Sequence, residues 1–335
     1  MSLPPSEIPS GAMRFNSDSQ KLEYWDGSQW VQVHTRGPIT VGSNPSDMVA
    51  ARGLFGGGRT PAVTNTIEYV NISTAGDAVD FGDLSVARSR VRASTGSRSI
   101  GVWGQGITPS NSNVVDFVTF STTGDAIDFG DTRTDEFGIA VADSTRGVFY
   151  SRNTTLEFIT FSSKGNAASF GSTVNEHAAG CGVNSPTRGI FAGGYGTPTP
   201  NRNAIDYITI QSTGNSVDFG DLTNGAYSLS GVCNNVRGLF CGGRHPTTFN
   251  NNIEFVTMST LGNSQDFGDM AVTKGYGMAA SSPVRGVIAG GTNPAVQTEI
   301  TQITINTLGN SYSFGDLITI ARDSGGGCSN AHGGL

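Results

Sequence analysis

The sequence predicts an all-β chain assembled from six like units of four short strands each. Three observations carry that expectation. Glycine is abundant at 47 of 335 residues and charged residues make up only 14%, a composition that suits short strands and turns better than helices. A nonapeptide, TGDAIDFGD at 123–131, has relatives along the whole chain, with its phenylalanine recurring as Phe81, Phe129, Phe170, Phe219, Phe267 and Phe314. The intervals are 48, 41, 49, 48 and 47 residues, and self-similarity of about 40–50 residues with four strands per period is the mark of a β-propeller blade.

Residues 1–47 stand outside the repeat. Within them, MRFN, KLEYW and QWVQV alternate apolar and polar side chains and are separated by SDSQ and by Asp26-Gly27, so 11–33 predict a three-stranded β-meander. Three strands of this size are too few to be stable alone, and a partner or a symmetry mate is expected to cover them. The stretch 34–47, with two prolines and two glycines, reads as a linker.

From residue 48 onward every unit has the same order. A strand of small residues, such as YSLSGVC (227–233), comes first. A glycine-rich strand follows: RGLFGGG (52–58), IGVWGQG (100–106), RGVFYSR (146–152), RGIFAGG (188–194), RGLFCGG (237–243) and RGVIAGG (285–291). The third is an acidic-aromatic strand, TIEYVNI (66–72) and its counterparts, and the last carries the recurrent phenylalanine. The aromatic lies seven residues before a glycine, which lies five residues before the phenylalanine. That rigid spacing predicts a tight hairpin turn at the Gly-Asp/Asn pair. The first unit opens directly on its glycine-rich strand, while the chain ends in SGGGCSNAHGGL (324–335), which matches 228–239. The C-terminal strand is therefore expected to complete the first unit, closing a six-bladed β-propeller with no open edge.

Repetition also separates scaffold from site. Asp-Phe-Gly holds magnesium in protein kinases, but a catalytic centre is needed once and this motif recurs, so it is assigned to packing and turn formation. Arg52, Arg146, Arg188, Arg237 and Arg285 open five of the six glycine-rich strands. They could form an anion-binding ring, but a structural role is expected, as in a ladder of ion pairs with Glu68, Asp116, Glu157, Asp206 and Glu254, although the exceptions, Ile100 and Thr301, fall in different repeats and leave simple pairing undemonstrated. The segments after the glycine-rich strands vary in length and sequence while their flanks do not, and variable loops on a rigid scaffold are where recognition resides. Arg59, Tyr195, Arg202, Arg244, His245 and Phe249 in these segments are the candidate ligand- or receptor-binding residues.

The formal net charge of −7 leaves no basic footprint for nucleic acid. No apolar run approaches the roughly 18 residues of a membrane span, and residues 1–13 lack the basic and apolar regions of a secretory signal. The four cysteines, Cys181, Cys233, Cys241 and Cys328, form no CxxC and are expected to be free thiols in the core. No GxSxG, HExxH or P-loop is present, so neither an enzymatic activity nor a metal or cofactor is expected.

The order of strands, with a glycine doublet ending the second and an aromatic marking the fourth, resembles the kelch repeat, with phenylalanine where kelch repeats carry tryptophan. The segment MRFNSDSQKLEYWDGSQW resembles a module of tail and fibre proteins of tailed bacteriophages, especially those of marine and cyanobacterial hosts. The blade pattern, with RGLFGGG, IDYITI, STGN, DFGDL and CSNAHGGL, is similar to repeats of such virion proteins. The resemblance implies a virion protein, assembled in the host cytoplasm, in a tail fibre or tail-tip appendage. Residues 1–47 would attach it to other tail proteins, with Phe15, Tyr24, Trp25 and Trp30 as candidate contacts. The propeller would bind a host-surface glycan or protein, and a homo-oligomer, trimeric or higher, is expected on the particle. The alternative is a decoration or connector that cements neighbouring virion subunits without touching the host; a glycan-cleaving enzyme is a third class.

Overall fold

The computed structural model describes residues 9, 11–16, 21–32, 51–135, 137–196, 203–245, 247–319 and 321–335. The proposed linker at 34–47 lies outside the described residues, as does Arg202. The chain divides into two compact units, 1–48 and 49–335, and every regular element described is β-strand.

In the first unit, strands Met13–Asn16, Lys21–Trp25 and Trp30–Gln32 form the expected antiparallel meander. The Asp26 carboxylate accepts hydrogen bonds from the Ser28 and Gln29 amides and fixes the second turn. Strand alternation splits the four aromatic candidates between two faces. Trp25 and Trp30 pack on each other at 5.6 Å, with the Arg14 guanidinium 4.3 Å above Trp30 and bridged to Glu23 at 2.9 Å. The opposite face carries Phe15 and Tyr24 with Met13 and Leu22, all of them exposed.

The second unit contains six antiparallel sheets, each with the same four-stranded path. Sheet I comprises Gly326–Ser329, Arg52–Gly56, Thr66–Asn71 and Val79–Asp83, in that order. Its innermost strand is thus the last strand of the chain, with Gly326 opposite Gly56 and Ser329 opposite Gly53. Sheets II to VI follow in sequence and begin with Ala93–Gly96, Ile139–Ala142, Cys181–Asn184, Ser230–Cys233 and Met278–Ser281. Sheet II carries one extra short strand, Ile107–Thr108, folded back on its third. Each first strand lies against the first strand of the next sheet, and that of sheet VI lies against that of sheet I. Only small side chains fit there: a Cβ on Gly327 would stand 2.3 Å from the Ala279 carbonyl. The four cysteines are free and buried.

The recurrent phenylalanines are all buried, and in five sheets they meet the third-strand aromatic edge-on at 5.8–6.0 Å. The Gly-Asp/Asn pair is not a two-residue hairpin turn. In sheet I the connection runs from 72 to 78, and Gly76 has φ of +157°, close to extended rather than in the +60° region of a primed turn. Its role is between sheets. The Asp or Asn side chain after the glycine accepts a hydrogen bond from the backbone amide that ends the fourth strand of the preceding sheet. Asp83 to Asp125, Asp131 to Asn166, Ser172 to Asn215, Asp221 to Asn263, Asp269 to Asn310 and Asp316 to Asp77 all join at 2.9–3.1 Å. Asp-Phe-Gly needs its glycine for the same contact: a Cβ on Gly220 would stand 2.5 Å from the Gly262 carbonyl.

The five arginines are structural, but the expected ladder of ion pairs is absent. Each instead stacks on an aromatic ring of its own sheet, at 4.8–5.9 Å. Each then donates to a backbone carbonyl of the next sheet: Arg52 to Phe120, Arg146 to Gln211, Arg188 to Met258, Arg237 to Asn306 and Arg285 to Ile72. Sheet II has Ile100 at this position and lacks the link. The acids face other partners. Arg88 meets Asp116 and Arg322 meets Glu68, each at 2.9 Å, and His177 lies 3.2 Å from Asp206, all fully buried.

Sheet VI keeps the buried cation of this set, Lys274, but has Thr301 in place of the acid. Lys274 Nζ has only the carbonyls of Ile288 and Glu299, at 3.5 and 3.4 Å. Burial pushes its pKa down from 10.5 to about 8, equivalent to about 3 kcal/mol against the charged form. The unfolded chain holds this proton more tightly, so the penalty is complete below pH 8 and fades as pH rises to 10.5. Lys274→Met should raise the melting temperature at pH 7, with the advantage shrinking between pH 8 and 10.5 in a calorimetric series.

His332, at the opposite end of the axis from the cavity described below, behaves in the converse pH range. Its Nε2 donates to the Gly96 carbonyl while Nδ1 accepts from Asn184 and Gly334, and burial pushes its pKa down to about 4. The folded state resists protonation that the unfolded chain accepts near 6.5, so stability falls as pH drops from 6.5 to 4. His332→Gln should flatten urea-derived stability over that window by about 1.4 kcal/mol per pH unit.

Candidate functional site

The segment entering each first strand passes close to the axis, and these six segments form a collar. Ser324 donates its amide to the Tyr276 carbonyl, Tyr276 to Ser228, Ser228 to Ala179, and Ala179 to Phe137, at 2.6–3.1 Å. Val91 donates to Ser324 at 3.2 Å. The circuit breaks only between Phe137 and Val91, where the Phe137 amide donates to Asp135 Oδ1 at 3.0 Å. Ala179, Ser228, Tyr276 and Ser324 reach this geometry with φ of +55° to +63°, which non-glycine residues rarely adopt. Four such residues at equivalent places show that the ring of hydrogen bonds outweighs the local strain.

Above the collar lies a cavity of about 240 Å³ lined by Arg59, Arg90, Arg92, Phe137, Ala179, Tyr195, Tyr227, Ser228, Tyr276 and Ser324. Isolated bridges hold the variable segments against it. Arg59 pairs with Asp323, Tyr195 with Ala178, and Arg244 with Tyr227. Tyr195 meets Tyr227 edge-on at 6.0 Å, and Phe249 meets Tyr276 at 6.3 Å with the Arg244 guanidinium 5.7 Å from the Phe249 ring centre. The result is an aromatic rim backed by cations. Arg59 is bridged to Asp323 at 3.2 Å, and Arg90 lies 5.0 Å from the Phe137 ring. Among the described residues no Asp or Glu lines the cavity.

Arg92 forms the floor. It leaves the segment before sheet II and crosses the axis, donating to the carbonyls of Ala179 at 3.1 Å and Leu229 at 2.6 Å, in the segments entering sheets IV and V. It is common to this cavity and to the narrow axial channel below it. Burial lowers the pKa of its guanidinium, partly offset by Cys181, Tyr276 and the Asp323 carboxylate. Burial likewise raises that of the Tyr227 phenol, with Tyr276 adding to the effect.

Of the six candidates named from sequence, Arg59 and Tyr195 line the cavity, and Arg244 and Phe249 extend its rim. His245 is exposed and turned so that Nδ1 meets the Gly225 carbonyl. Arg202 lies outside the described residues. Sequence reasoning missed Arg92, Phe137, Tyr227 and Tyr276, which belong to the segments before the first strands rather than to the variable loops. A signal existed for Arg92: the equivalent residues are Gly138, Gly180, Leu229, Gly277 and Gly325, so it is the one long charged side chain in six copies. Among the described residues no cluster of metal-ligating side chains occurs. No protein-family model matches the chain, and no curated protein matches it significantly.

Ser228 combines the strained φ of +57° with a buried hydroxyl that has no hydrogen-bond partner. Glycine removes both costs, so Ser228→Gly should stabilise the fold by about 1 kcal/mol, measured from the urea midpoint at unchanged m-value.

Proposed function

We propose that the six sheets are the blades of a six-bladed, kelch-like β-propeller and that the chain is a virion appendage protein of a tailed bacteriophage. In this reading residues 1–47 attach it to the particle and the propeller binds a host-surface glycan or protein. The observation that carries the binding role is the cavity mouth, where Tyr195, Tyr227, Phe249 and Tyr276 present rings beside Arg59, Arg92 and Arg244. Rigid aromatic and arginine side chains around a concavity are what recognition surfaces concentrate. The phage origin is supported by the resemblance of the N-terminal module and of the repeats. The attachment role is supported by the apolar face of Met13, Phe15, Leu22 and Tyr24, which three small strands leave uncovered. A glycosidase would use two carboxylates at the bond to be cleaved, and among the described residues none lines the cavity. Single weak contacts would be amplified by the copies carried on each particle.

The full-length protein, labelled and incubated with a panel of marine cyanobacterial strains, should sediment with cells of at least one strain. Tyr195→Ala combined with Phe249→Ala should reduce that binding at least tenfold. Binding to no strain, with antibody against the protein reaching it only on disrupted particles, would instead support a connector between virion subunits.

A further inference from the structure

The receptor-binding reading leaves open what chemistry the cavity selects, and the floor of the cavity is specific on that point. Arg92 is half-buried, and among the described residues no carboxylate lies within ion-pairing distance of it, Asp323 acting on it only from farther away. Its two hydrogen bonds go to backbone carbonyls, which fix the guanidinium without neutralising it. A guanidinium has five N–H donors, so the two anchors leave donors for a ligand. A cation drawn this far into the protein is ordinarily paired; this one is held in place facing a cavity whose lining, among the described residues, contains three arginines and no acid.

We infer that the cavity is a subsite for a single acidic sugar residue, with its carboxylate on Arg92 and the ring against Tyr195 and Tyr227. Guanidinium geometry matches a carboxylate through paired, parallel hydrogen bonds. The apolar face of a pyranose ring packs on aromatic side chains, and the two tyrosines stand edge-to-face on one side of the mouth. The volume of about 240 Å³ is below the roughly 300–1,000 Å³ of pockets for drug-sized ligands, which suits one sugar ring rather than a chain. A glycan therefore enters by a terminal or branch residue while its remainder lies across the rim, where Arg244 and Phe249 stand. This inference rests on the receptor-binding reading only for the ligand's being a sugar.

The test uses the full chain and free sugars, with no host cell. Titration calorimetry and ligand-observed NMR should detect D-glucuronate or N-acetylneuraminate, with the methyl ester of glucuronate and neutral glucose at least tenfold weaker. Arg92→Gln should abolish the preference for the acid over its ester. Should that variant fail to fold, Tyr195→Ala, at a residue 52% exposed, should weaken uronate binding at least fivefold with an unchanged melting temperature. Equal binding of acid and ester, or inorganic sulfate or phosphate binding as tightly as the uronate, would overturn the assignment. Adherence to cells without uronate binding would overturn this inference alone and leave the receptor-binding reading standing.

Discussion

One hydrogen bond, made six times, governs the 49–335 unit. The side chain of an Asp or Asn in each sheet receives the backbone amide at the end of the sheet before it, and the sixth instance, Asp316 to Asp77, joins the last sheet to the first. Around this bond the rest is arranged. It requires the glycine that follows each buried phenylalanine, because the two backbones approach too closely for a Cβ. The phenylalanine and the glycine five residues earlier stand at successive joints: Gly76 and Asp77 meet sheet VI, while Phe81 and Gly82 meet Gly124 of sheet II. The recurrent spelling of the motif within the chain is therefore the spelling of a joint rather than of a sheet interior.

Much of this was legible beforehand because repetition exposes whatever every unit must share. The four-strand order, the buried phenylalanines and the pairing of the C-terminal strand with Arg52–Gly56 could all be read from copies set side by side. What escaped were contacts whose partners have no spelling. The arginines opening the second strands donate to carbonyls, which every residue carries, so no comparison of copies could show that Arg285 reaches Ile72. The carboxylates seemed to need those arginines because the two occur together in four copies, although Asp116 shares its copy with Ile100 and Arg285 shares its copy with Thr301. Their true companions, Arg88, Arg322 and His177, were hidden by varying in kind from sheet to sheet. The site was half legible for the complementary reason. Variable loops drew attention to Arg59, Tyr195, Arg244 and Phe249, while Arg92 and the collar tyrosines sit in segments that look like scaffold.

The buried charges show how loosely a repeat constrains its own interior. Two sheets hold a full arginine–carboxylate pair, one holds His177 and Asp206, and sheet VI holds a lysine facing a threonine. In sheet V, Glu254 accepts from Thr223 and Ser264, and Ala226 occupies the place of the cation. The common requirement is that the backbone carbonyls around this position find donors, and several side chains meet it. Net stability is the residue of large opposing terms, so one poorly satisfied member such as Lys274 is tolerated among well-satisfied ones.

The two interruptions in the cycle fall at the same joint. Ile100 removes the arginine link from sheet II to sheet III, and the collar lacks its bond between Phe137 and Val91. Other contacts stand in at that joint: Gln105 Nε2 donates to Ser151 Oγ at 2.7 Å, the Arg133 amide donates to the Glu157 carboxylate at 2.8 Å, and Lys164 Nζ lies 4.2 Å from the Phe117 ring centre. Arg92 is rooted on one side of that seam and tethered to the segments entering sheets IV and V, beyond its other side. It acts as a strut across the aperture, tying the seam to the far side of the ring.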